Sequence, residues 1–598
     1  MLPPAVRRAL PLVLALAITA WGGLLRLDAL VERYGAVDSP AWARALTDAA
    51  PRWAAHLKPS AHQWKAIATP YVGGDPINYL RYGREMQTFY QAHVREPVFL
   101  AETRVFLWLL HGADVAVSAA SAAGSTAAVL GAYLVAAAVA SPIAGLVVAL
   151  LMAGEYHLIT WGVDGWRDDT FMALLLLTLW SFLQLRRRPS FAPALLAGAA
   201  AGLACLTRLT ALSFVLPGLA LLVIDAPRGE RRHRAAIAGL AAVIAAAVVL
   251  PYLVSCALAT GDPFIAINYH TSFYRFGEGL PSGEPMSAAS YISGKLAGHP
   301  IRAIDTAFQG LTVQPFENKF GGFEGYVPHL GTALMWAAAA GLLALPFTPA
   351  GRLVLVVLLA SLVPYAFTWN ISSGGEWRFT MHAYPLYLVA ALFAVDRAVR
   401  GAAAVWRSGG RMPALSRRTA AGMAAVASIA ALGWGAYVTL PWLVVRETVA
   451  SGQDVSIETG PRDGVFFDEG WSEPHPDGVM VRVSTTPRAE VSFPLPVRRA
   501  YDVVVRLDPA VPGRQHRVAV LFNRQLIGTL KLAVDTARMG SYRLRLPAAL
   551  VRRGSNELMV VPDTLVAAGA AAPRLGWIDP ARPVGVRLWY VRILGLGR

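Results

Sequence analysis

The sequence predicts an α-helical membrane domain with about 11 transmembrane helices, followed by a C-terminal all-β sandwich of jelly-roll type. Of its 598 residues, 55% are hydrophobic and only 15% are charged, whereas soluble domains contain about 25% charged residues. Long apolar runs recur through residues 1–445, and from about residue 460 the pattern changes to short alternating runs. We therefore expect a membrane domain at 1–445 and a β-sandwich at 460–598.

A helix needs about 20 mostly apolar residues to cross a bilayer. The first run follows two arginines and lacks a small-residue cleavage site, so we interpret it as a transmembrane helix and not as a signal peptide. We expect eleven spans, at 9–29, 113–139, 143–162, 170–185, 191–207, 209–225, 235–255, 329–347, 352–369, 380–396 and 419–440. The apolar stretch 98–110 is shorter and favours a helix along the membrane interface.

The net charge of +16 is concentrated in alternate connections between these spans. Short basic connections are retained in the cytoplasm. Sixteen basic residues lie there against Asp225, Glu230 and Asp396, namely Arg7, Arg8, Arg186, Arg187, Arg188, Arg228, Arg231, Arg232, Arg234, Arg352, Arg397, Arg400, Arg407, Arg411, Arg417 and Arg418. The charge thus indicates a cytoplasmic N-terminus, and an odd number of spans places the C-terminus outside. We expect membrane lipids and no nucleic acid as partners.

One arginine lies at the tip of a predicted hairpin. Residues 186–188 and 228–234 are both predicted to be cytoplasmic, so the two spans between them turn at Leu206-Thr207-Arg208. An arginine at that depth is costly unless it meets an anion, water or a polar cavity. Snorkelling of the side chain to the interface is the alternative, and the sequence leaves both open.

Asp75 is the first acidic candidate, in the segment Gly73-Gly74-Asp75-Pro76. Aspartate favours the N-cap and proline the first turn of a helix, so capping alone would explain this pair. Tyr79 follows one turn later and Arg84 further along the same predicted helix. An acid at the outer edge of a membrane domain could also act as a general base.

A second group combines adjacent carboxylates with arginines on the predicted outer side. Asp168 and Asp169 begin a span, where acids also suit the helix dipole; as a pair they leave a divalent metal open. Arginine binds phosphate well through its geometry and charge. Arg208, Arg275 and Arg378, with Glu376 nearby, therefore predict a site for an anionic lipid headgroup and a polar substrate.

These motifs resemble the GT-C membrane glycosyltransferases, in particular the group of lipid A aminoarabinose transferases and protein O-mannosyltransferases. The segment from Asp75 through Tyr79 to Arg84-Glu85-Met86 is similar to the first outer loop of that family. Further similar segments follow in the family's order over residues 1–400: Arg95-Glu96-Pro97, Asp169-Thr170-Phe171, Leu206-Thr207-Arg208, 270–276 and 378–385. Glu96 departs from the pattern, because the aminoarabinose transferases have lysine there.

The resemblance implies a catalytic role for Asp75 as the base, with Asp169 as the second acidic residue. It implies a polyprenyl-phosphate-linked sugar as donor, whose phosphate Arg208, Arg275 and Arg378 would hold, with Arg95 replacing the missing lysine. Tyr79, Arg84, Asp168 and Glu376 complete the expected binding residues. The acceptor would be a glycan, lipid or protein, inversion at the anomeric carbon is expected, and the enzyme would lie in the plasma (inner) membrane. The C-terminal domain is similar to carbohydrate-binding jelly rolls.

Two other functions are compatible with a charged membrane domain. A transporter or flippase of a lipid-linked saccharide would share it, but inverted repeats with broken helices would be expected, and none is evident by eye. A membrane-anchored glycan-binding protein would not need carboxylates and arginines in the first 400 residues. We therefore favour the enzyme.

Overall fold

The computed structural model describes residues 4–38, 74–269, 271, 287–317, 319–323, 327–368, 377–408, 417–460, 462–477, 479–511, 517–532, 540–571 and 575–595. The chain forms two compact units. The first comprises Met1–Ile292 and Thr306–Gly422, and the second comprises Ser293–Asp305 and Met423–Arg598. The expected domain boundary between residues 445 and 460 stays a prediction.

The first unit is helical, and α-helices continue into the second unit up to its β-strands. In chain order they are α1 Pro4–Asp38, α2 Asp75–Glu85, α3 Pro97–Leu109, α4 Ala116–Val139, α5 Pro142–Gly154, α6 Tyr156–Gly162, α7 Asp168–Arg187, α8 Phe191–Thr207, α9 Leu212–Ile224, α10 Arg231–Thr260, α11 Ala288–Gly298, α12 Pro300–Phe308, α13 Gln314–Glu317, α14 Leu330–Ala344, α15 Pro349–Ala366, α16 Tyr384–Arg407 and α17 Arg417–Ala450.

The protein is a multi-pass membrane protein, and each of the eleven predicted spans coincides with a helix or a pair of helices. Among the described residues, seven helices are long and apolar enough to cross a bilayer, and the pair α5–α6, bent by 56°, would make eight. The helical membrane architecture is thereby confirmed. The number eleven stays a prediction.

Length and charge explain why three predicted spans fall outside those eight. Helices α8 and α9 have 17 and 13 residues, and a helix of that length is too short for the hydrocarbon core. They meet at Arg208, which lies between them in extended conformation. Helix α16 carries Asp396, Arg397 and Arg400 in its second half, which reduces its apolar stretch.

Small residues allow α4 and α7 to pack closely. A Cβ atom at Gly124 would lie 2.7 Å from the backbone nitrogen of Thr170, and one at Gly131 would lie 2.9 Å from Cβ of Leu176. Close approach through glycine is typical of helix pairs in membranes. Because Thr170 is in the first turn of α7, this contact fixes the rotation of the residues that begin the helix.

The second unit contains an antiparallel β-sandwich that follows α17. Its strands are β1 Val455–Glu458, β2 His475–Asp477, β3 Val479–Val483, β4 Ala489–Leu495, β5 Tyr501–Pro509, β6 Arg517–Phe522, β7 Gln525–Lys531, β8 Gly540–Leu546, β9 Gly554–Pro562, β10 Val566–Ala567, β11 Pro583–Val584 and β12 Val586–Ile593. One sheet has the order β2-β3-β12-β5-β8 with β1 also on β12, the other β4-β9-β6-β7, and β10 pairs with β11. Side chains from both large sheets form one core.

The predicted all-β C-terminal region is confirmed. Strands lie at each of the six alternating stretches from which the sequence predicts them, around 479–483, 489–495, 501–507, 516–522, 541–546 and 584–593. Four strands of the two large sheets were not predicted. Strand β9 is buried at almost every position of its second half, so it lacks the alternation of a half-exposed strand. Strand β7 follows β6 through Asn523 and Arg524, whose φ values of 48° and 70° suit a two-residue hairpin turn.

Candidate active site

The first unit contains a cavity of about 460 Å³, within the size range of small-molecule sites. It is formed by the start of α2, the residues before α3, the start of α7, the α8–α9 turn, the start of α11 and the end of α15. The charged side chains that line it are Asp75, Arg95, Glu96, Arg167, Asp168, Arg208 and Arg378, and the aromatic ones are Tyr79, Tyr269, Tyr291, Tyr365, Phe367 and Phe379.

Asp75 lies at the start of α2 and faces this cavity. The helix begins at Asp75 itself, after Gly74 with a φ of 67°, and no side chain caps it. Asp75 therefore begins a helix, as the sequence predicts, although as its first residue and not as its N-cap. Its side chain is 41% exposed, and its Oδ1 lies 3.4 Å from Nη2 of Arg95, which is 8% exposed.

Arg95 is enclosed by aromatic rings on the cavity wall. Its guanidinium carbon lies 5.6 Å from the ring centre of Tyr79 and 5.8 Å from that of Tyr269. Both distances are within the range of cation–π attraction. Arg95 therefore presents its guanidinium group to the cavity beside the carboxylate of Asp75, and its role as a replacement for the missing lysine stays a prediction.

Arg208, at the hairpin tip, meets an anion inside the protein. It forms a salt bridge with Asp168, in which both side chains are buried, and its Nη1 donates a hydrogen bond of 2.6 Å to the hydroxyl oxygen of Tyr365. Of the two alternatives that the sequence left open, the structure supports a buried anionic partner over snorkelling. Both members of the pair line the cavity.

Asp169 points away from the cavity, although the resemblance predicts it as the second catalytic acid. Consecutive helical residues differ in direction by about 100°, so Asp168 and Asp169 cannot both face the same site. Asp169 is fully buried and accepts a hydrogen bond of 2.9 Å from Ser121 on α4. The structure thus favours Asp168 over Asp169 as the cavity carboxylate.

The divergence of these two carboxylates also bears on the expected metal. Their oxygen atoms do not converge on one point, because Asp168 pairs with Arg208 and Asp169 with Ser121. Within the described ranges, no group of three or more His, Cys, Asp or Glu residues could hold a metal ion. Divalent metal binding by Asp168 and Asp169 stays an untested expectation.

A second buried ion pair joins Arg167 to Glu96, and the sequence did not predict it. Arg167 and Glu96 are 6% and 3% exposed, and the second carboxylate oxygen of Glu96 accepts a hydrogen bond of 2.8 Å from the backbone nitrogen of Leu209. Glu96 therefore connects the entry to α3, the entry to α7 and the turn after Arg208. Glu96, at which the sequence departs from the family pattern, is thus paired with Arg167 in the structure.

The remaining predicted residues divide into three groups. Tyr79 and Arg378 line the cavity, and the guanidinium carbon of Arg378 lies 3.5 Å from the ring centre of Trp166. Arg84 does not line it. Its Nη2 lies 2.5 Å from Oδ1 of Asp114. The predicted residues Arg275 and Glu376 lie outside the part of the chain that the structure describes.

Helical geometry explains why Tyr79 and Arg84 separate. Tyr79 is four residues after Asp75 and returns to nearly the same face, whereas nine residues correspond to about 2.5 turns and place Arg84 on the opposite face. Arg84 therefore does not line this cavity, and its substrate-binding role stays a prediction.

Charge in the cavity is unbalanced. Four guanidinium groups, of Arg95, Arg167, Arg208 and Arg378, oppose the three carboxylates of Asp75, Glu96 and Asp168. Arginine can bind phosphate and carboxylate oxygens through two parallel hydrogen bonds. Aromatic, aliphatic and small polar side chains complete the wall, so the site is suited to a ligand that carries an anionic group and polar hydroxyls.

Residues 95–254 match the family model of the dolichyl-phosphate-mannose-protein mannosyltransferases. This match confirms the predicted resemblance to GT-C membrane glycosyltransferases over those residues, which contain the cavity ion pairs Arg167–Glu96 and Arg208–Asp168. A comparison with curated proteins found no match.

Several solved structures are similar to the chain. A crystal structure of the oligosaccharyltransferase of Archaeoglobus fulgidus, tethered to an acceptor peptide, is 15% identical with a TM-score of 0.40, over 71% of this chain and 54% of that one. The chain therefore spans about half the length of that enzyme. ArnT from Cupriavidus metallidurans, bound to undecaprenyl phosphate, is 16% identical with a TM-score of 0.38, over 63% of this chain and 66% of that one.

A carbohydrate-binding module domain is also among the similar structures. The CBM36-1 domain of a multidomain xylanase, from the hindgut metagenome of Trinervitermes trinervoides, is 11% identical with a TM-score of 0.18, over 24% of this chain and 100% of that one.

Proposed function

We propose that this membrane protein, which resembles the GT-C glycosyltransferases, transfers a sugar from a polyprenyl-phosphate donor to an acceptor hydroxyl. The observation that carries the proposal is the cavity in which the carboxylate of Asp75 and four arginines face one another, in a chain whose residues 95–254 match a glycosyltransferase family. A carboxylate that can accept a proton and cations that can hold a phosphate are the two requirements of this reaction.

The donor phosphate would be held by Arg208, Arg378 and Arg95. When the bond between the anomeric carbon and the phosphate oxygen breaks, negative charge grows on that oxygen, and guanidinium groups already in place stabilise it. The polyprenyl phosphate then leaves with the bonding electrons.

Asp75 would act as the general base. Its carboxylate takes the proton from the acceptor hydroxyl as the oxygen of that hydroxyl attacks the anomeric carbon from the side opposite the phosphate, which inverts the configuration. Asp168, held by Arg208, would orient the sugar or the acceptor through hydrogen bonds. We propose no resident cofactor for this step, and an arm of the assay with EDTA tests the divalent metal.

The direction of the helices supports an extracytoplasmic site. Helix α7 runs from Asp168 in the cavity to Arg186 and Arg187 in its last turn, and α8 returns from Phe191 to the cavity residue Arg208. The cavity thus lies at the helix ends remote from the basic connections, which are retained in the cytoplasm. We propose the plasma (inner) membrane as the location, with the C-terminal unit outside and a glycan, lipid or protein as acceptor.

The test is turnover by the purified protein in nanodiscs. Polyprenyl-phosphate-linked sugars are supplied one at a time, and release of polyprenyl phosphate is followed. Loss of a general base lowers the rate by about 10²- to 10⁴-fold, so we expect Asp75→Asn to lose at least about 100-fold. Asp114→Asn is the matched control, because Asp114 is 66% exposed and pairs with Arg84 outside the cavity.

Folding is checked by thermal unfolding in the same nanodiscs. Equal turnover by the Asp75→Asn and Asp114→Asn proteins would remove Asp75 from the mechanism. Accumulation of intact donor on the far side of a vesicle, with no release of polyprenyl phosphate by the wild type, would support a flippase and contradict the enzyme.

A further inference from the structure

We propose that the outward face of the six-stranded sheet binds an acidic glycan, that is, a saccharide chain with carboxylate or phosphate groups. Four arginines form this surface, which we call the arginine face: Arg506 on β5, Arg543 and Arg545 on β8, and Arg592 on β12. All belong to the second unit, so this site is separate from the cavity of the first unit.

Strand alternation and register place the four side chains on one surface. Val503, Val505, Leu544 and Ile593 point into the sandwich core, so their neighbours in sequence point outward. Val504 is paired with Arg543 on one side and with Arg592 on the other, and Asp502 is paired with Arg545.

Positive charge dominates this surface. Arg543 and Arg545 share one carboxylate, Asp502, at 2.7 Å and 3.0 Å, and yet both side chains remain exposed, at 68% and 67%, against 19% for Asp502. Among the described residues, this face carries two carboxylates, of Asp502 and of the exposed Glu458, which lies on β1 opposite Tyr590, against four guanidinium groups. The buried carboxylate of Asp508 is already paired with Arg587, so it offers no further compensation to the face.

An aromatic ring lies between two of the arginines. The guanidinium carbons of Arg592 and Arg506 lie 5.1 Å and 5.8 Å from the ring centre of Tyr590. Tyr590 is half-buried and stands in the row next to Arg592. A ring flanked by cations is suited to a ligand that presents a sugar ring beside an anionic group, because the ring has an apolar face and the cations bind the charge.

The surface fits an extended polyanion better than a bilayer. Neighbouring strands are about 4.8 Å apart, so arginines on β8 and β12 repeat across a flat sheet at intervals of about two strands. Insertion into lipid needs apolar side chains, and among the described residues no large exposed apolar side chain lies on β1, β5, β8 or β12. The choice of a glycan over a nucleic acid rests on the proposed extracytoplasmic orientation.

Binding is measured with the full-length protein in nanodiscs of neutral phosphatidylcholine, without any donor. The probes are a galacturonate oligomer, a phosphorylated mannan fragment, and the same galacturonate oligomer with its carboxylates reduced to alcohols. Anionic phosphatidylglycerol vesicles and single-stranded DNA are tested alongside them. We expect both acidic probes to bind and the reduced one to fail, with affinity falling as salt is raised. The relative affinity of the two acidic probes shows whether carboxylate or phosphate is preferred.

The variant is Arg543→Gln/Arg545→Gln/Arg592→Gln, which removes three exposed positive charges. It should bind the acidic probes at least about tenfold more weakly, because three exposed ion pairs with the ligand are lost. The matched control removes three arginines elsewhere on the same unit: Arg524→Gln/Arg552→Gln/Arg553→Gln, in which Arg524 is 82% exposed. The control should stay within about twofold of the wild type, since these arginines lie off the face.

Three results would overturn the proposal: equal weakening in variant and control, binding of the reduced oligomer as tight as that of the acidic one, or binding only to anionic vesicles or single-stranded DNA. Because Asp502 loses two partners in the triple variant, Arg592→Gln alone is measured as well, and thermal unfolding monitors the fold. No turnover is required, so failure of the proposed transferase activity and failure of this binding site are distinguishable.

Discussion

Removal of Arg208 separates its structural contribution from its binding contribution. In the Arg208→Gln protein, Asp168, which is 6% exposed, loses its counter-ion, and the hydroxyl of Tyr365 loses a donor. Breaking a buried ion pair on one side costs about 3–5 kcal/mol in the free energy of unfolding. A lost charge-assisted hydrogen bond to the donor phosphate is worth about 1.5–3 kcal/mol, which corresponds to a KM for the donor raised about 10- to 150-fold.

The double variant Arg208→Gln/Asp168→Asn distinguishes the contribution of Arg208 to stability from its contribution to donor binding. It replaces the ion pair by two neutral polar side chains, so that neither member is left as an unpaired buried charge, which is the costly outcome of removing one partner alone. We expect thermal unfolding to return towards the wild-type temperature while the KM for the donor stays high. Arg84→Gln is the matched control, because this variant loses one positive charge outside the cavity. Its KM for the donor should stay within about threefold of the wild-type value.

The assays are thermal unfolding in nanodiscs and initial rates over a range of donor concentrations. If Arg208→Gln leaves the KM unchanged, Arg208 does not hold the donor. If the double variant recovers both stability and KM, the role of Arg208 is confined to its pair with Asp168, and the phosphate must be held elsewhere.

Two further predictions concern groups that the proposed chemistry does not involve. Glu96→Lys should not confer activity by restoring the residue of the family pattern. It would instead place a cation against Arg167 and leave the backbone nitrogen of Leu209 without its acceptor, lowering the free energy of unfolding by at least about 3 kcal/mol; a variant as stable as the wild type would contradict this. In the second unit, burial and the neighbouring charge of Glu458 raise the pKa of Asp463 to about 7. Since the pKa is higher in the folded state, the protonated acid contributes its full stability below a pH of about 4, and this contribution is lost as the pH rises through about 7. The Asp463→Asn protein should lack this decline in urea titrations followed by the fluorescence of the second unit. A pH profile equal to that of the wild type would refute the assignment.

The architecture could be predicted from the sequence because its signals are local. Apolar runs of helical length and the alternation of half-exposed strands depend only on residues near each other in the chain. Where the local signal changes, the prediction was incomplete. Strand β9 is buried on both faces near its end, and helices α8 and α9 look like a pair of spans in sequence, although Arg208 divides them into short segments.

The site could be predicted only in part. The four-residue spacing of Asp75 and Tyr79 already implies a shared helical face, and the nine-residue spacing of Asp75 and Arg84 already argues against one. By contrast, Arg167 and Glu96 are 71 residues apart, so their pairing depends on the tertiary structure. No spacing rule could show that Glu96, an apparent departure from the family pattern, supports the cavity wall.

The contact of Gly124 with the first turn of α7 has a consequence for comparison with relatives. One residue inserted between Asp169 and Thr170 would rotate the acidic pair by about 100° relative to this contact, and Asp169 would then take the position at which Asp168 now lines the cavity. A sequence alignment alone cannot decide which of Asp168 and Asp169 corresponds to a single acidic residue in a relative, because either aspartate matches it equally well. A correct alignment should be anchored on the small residue of the facing helix, and proteins with a bulkier residue at the position of Gly124 should show a compensating shift in where this helix starts.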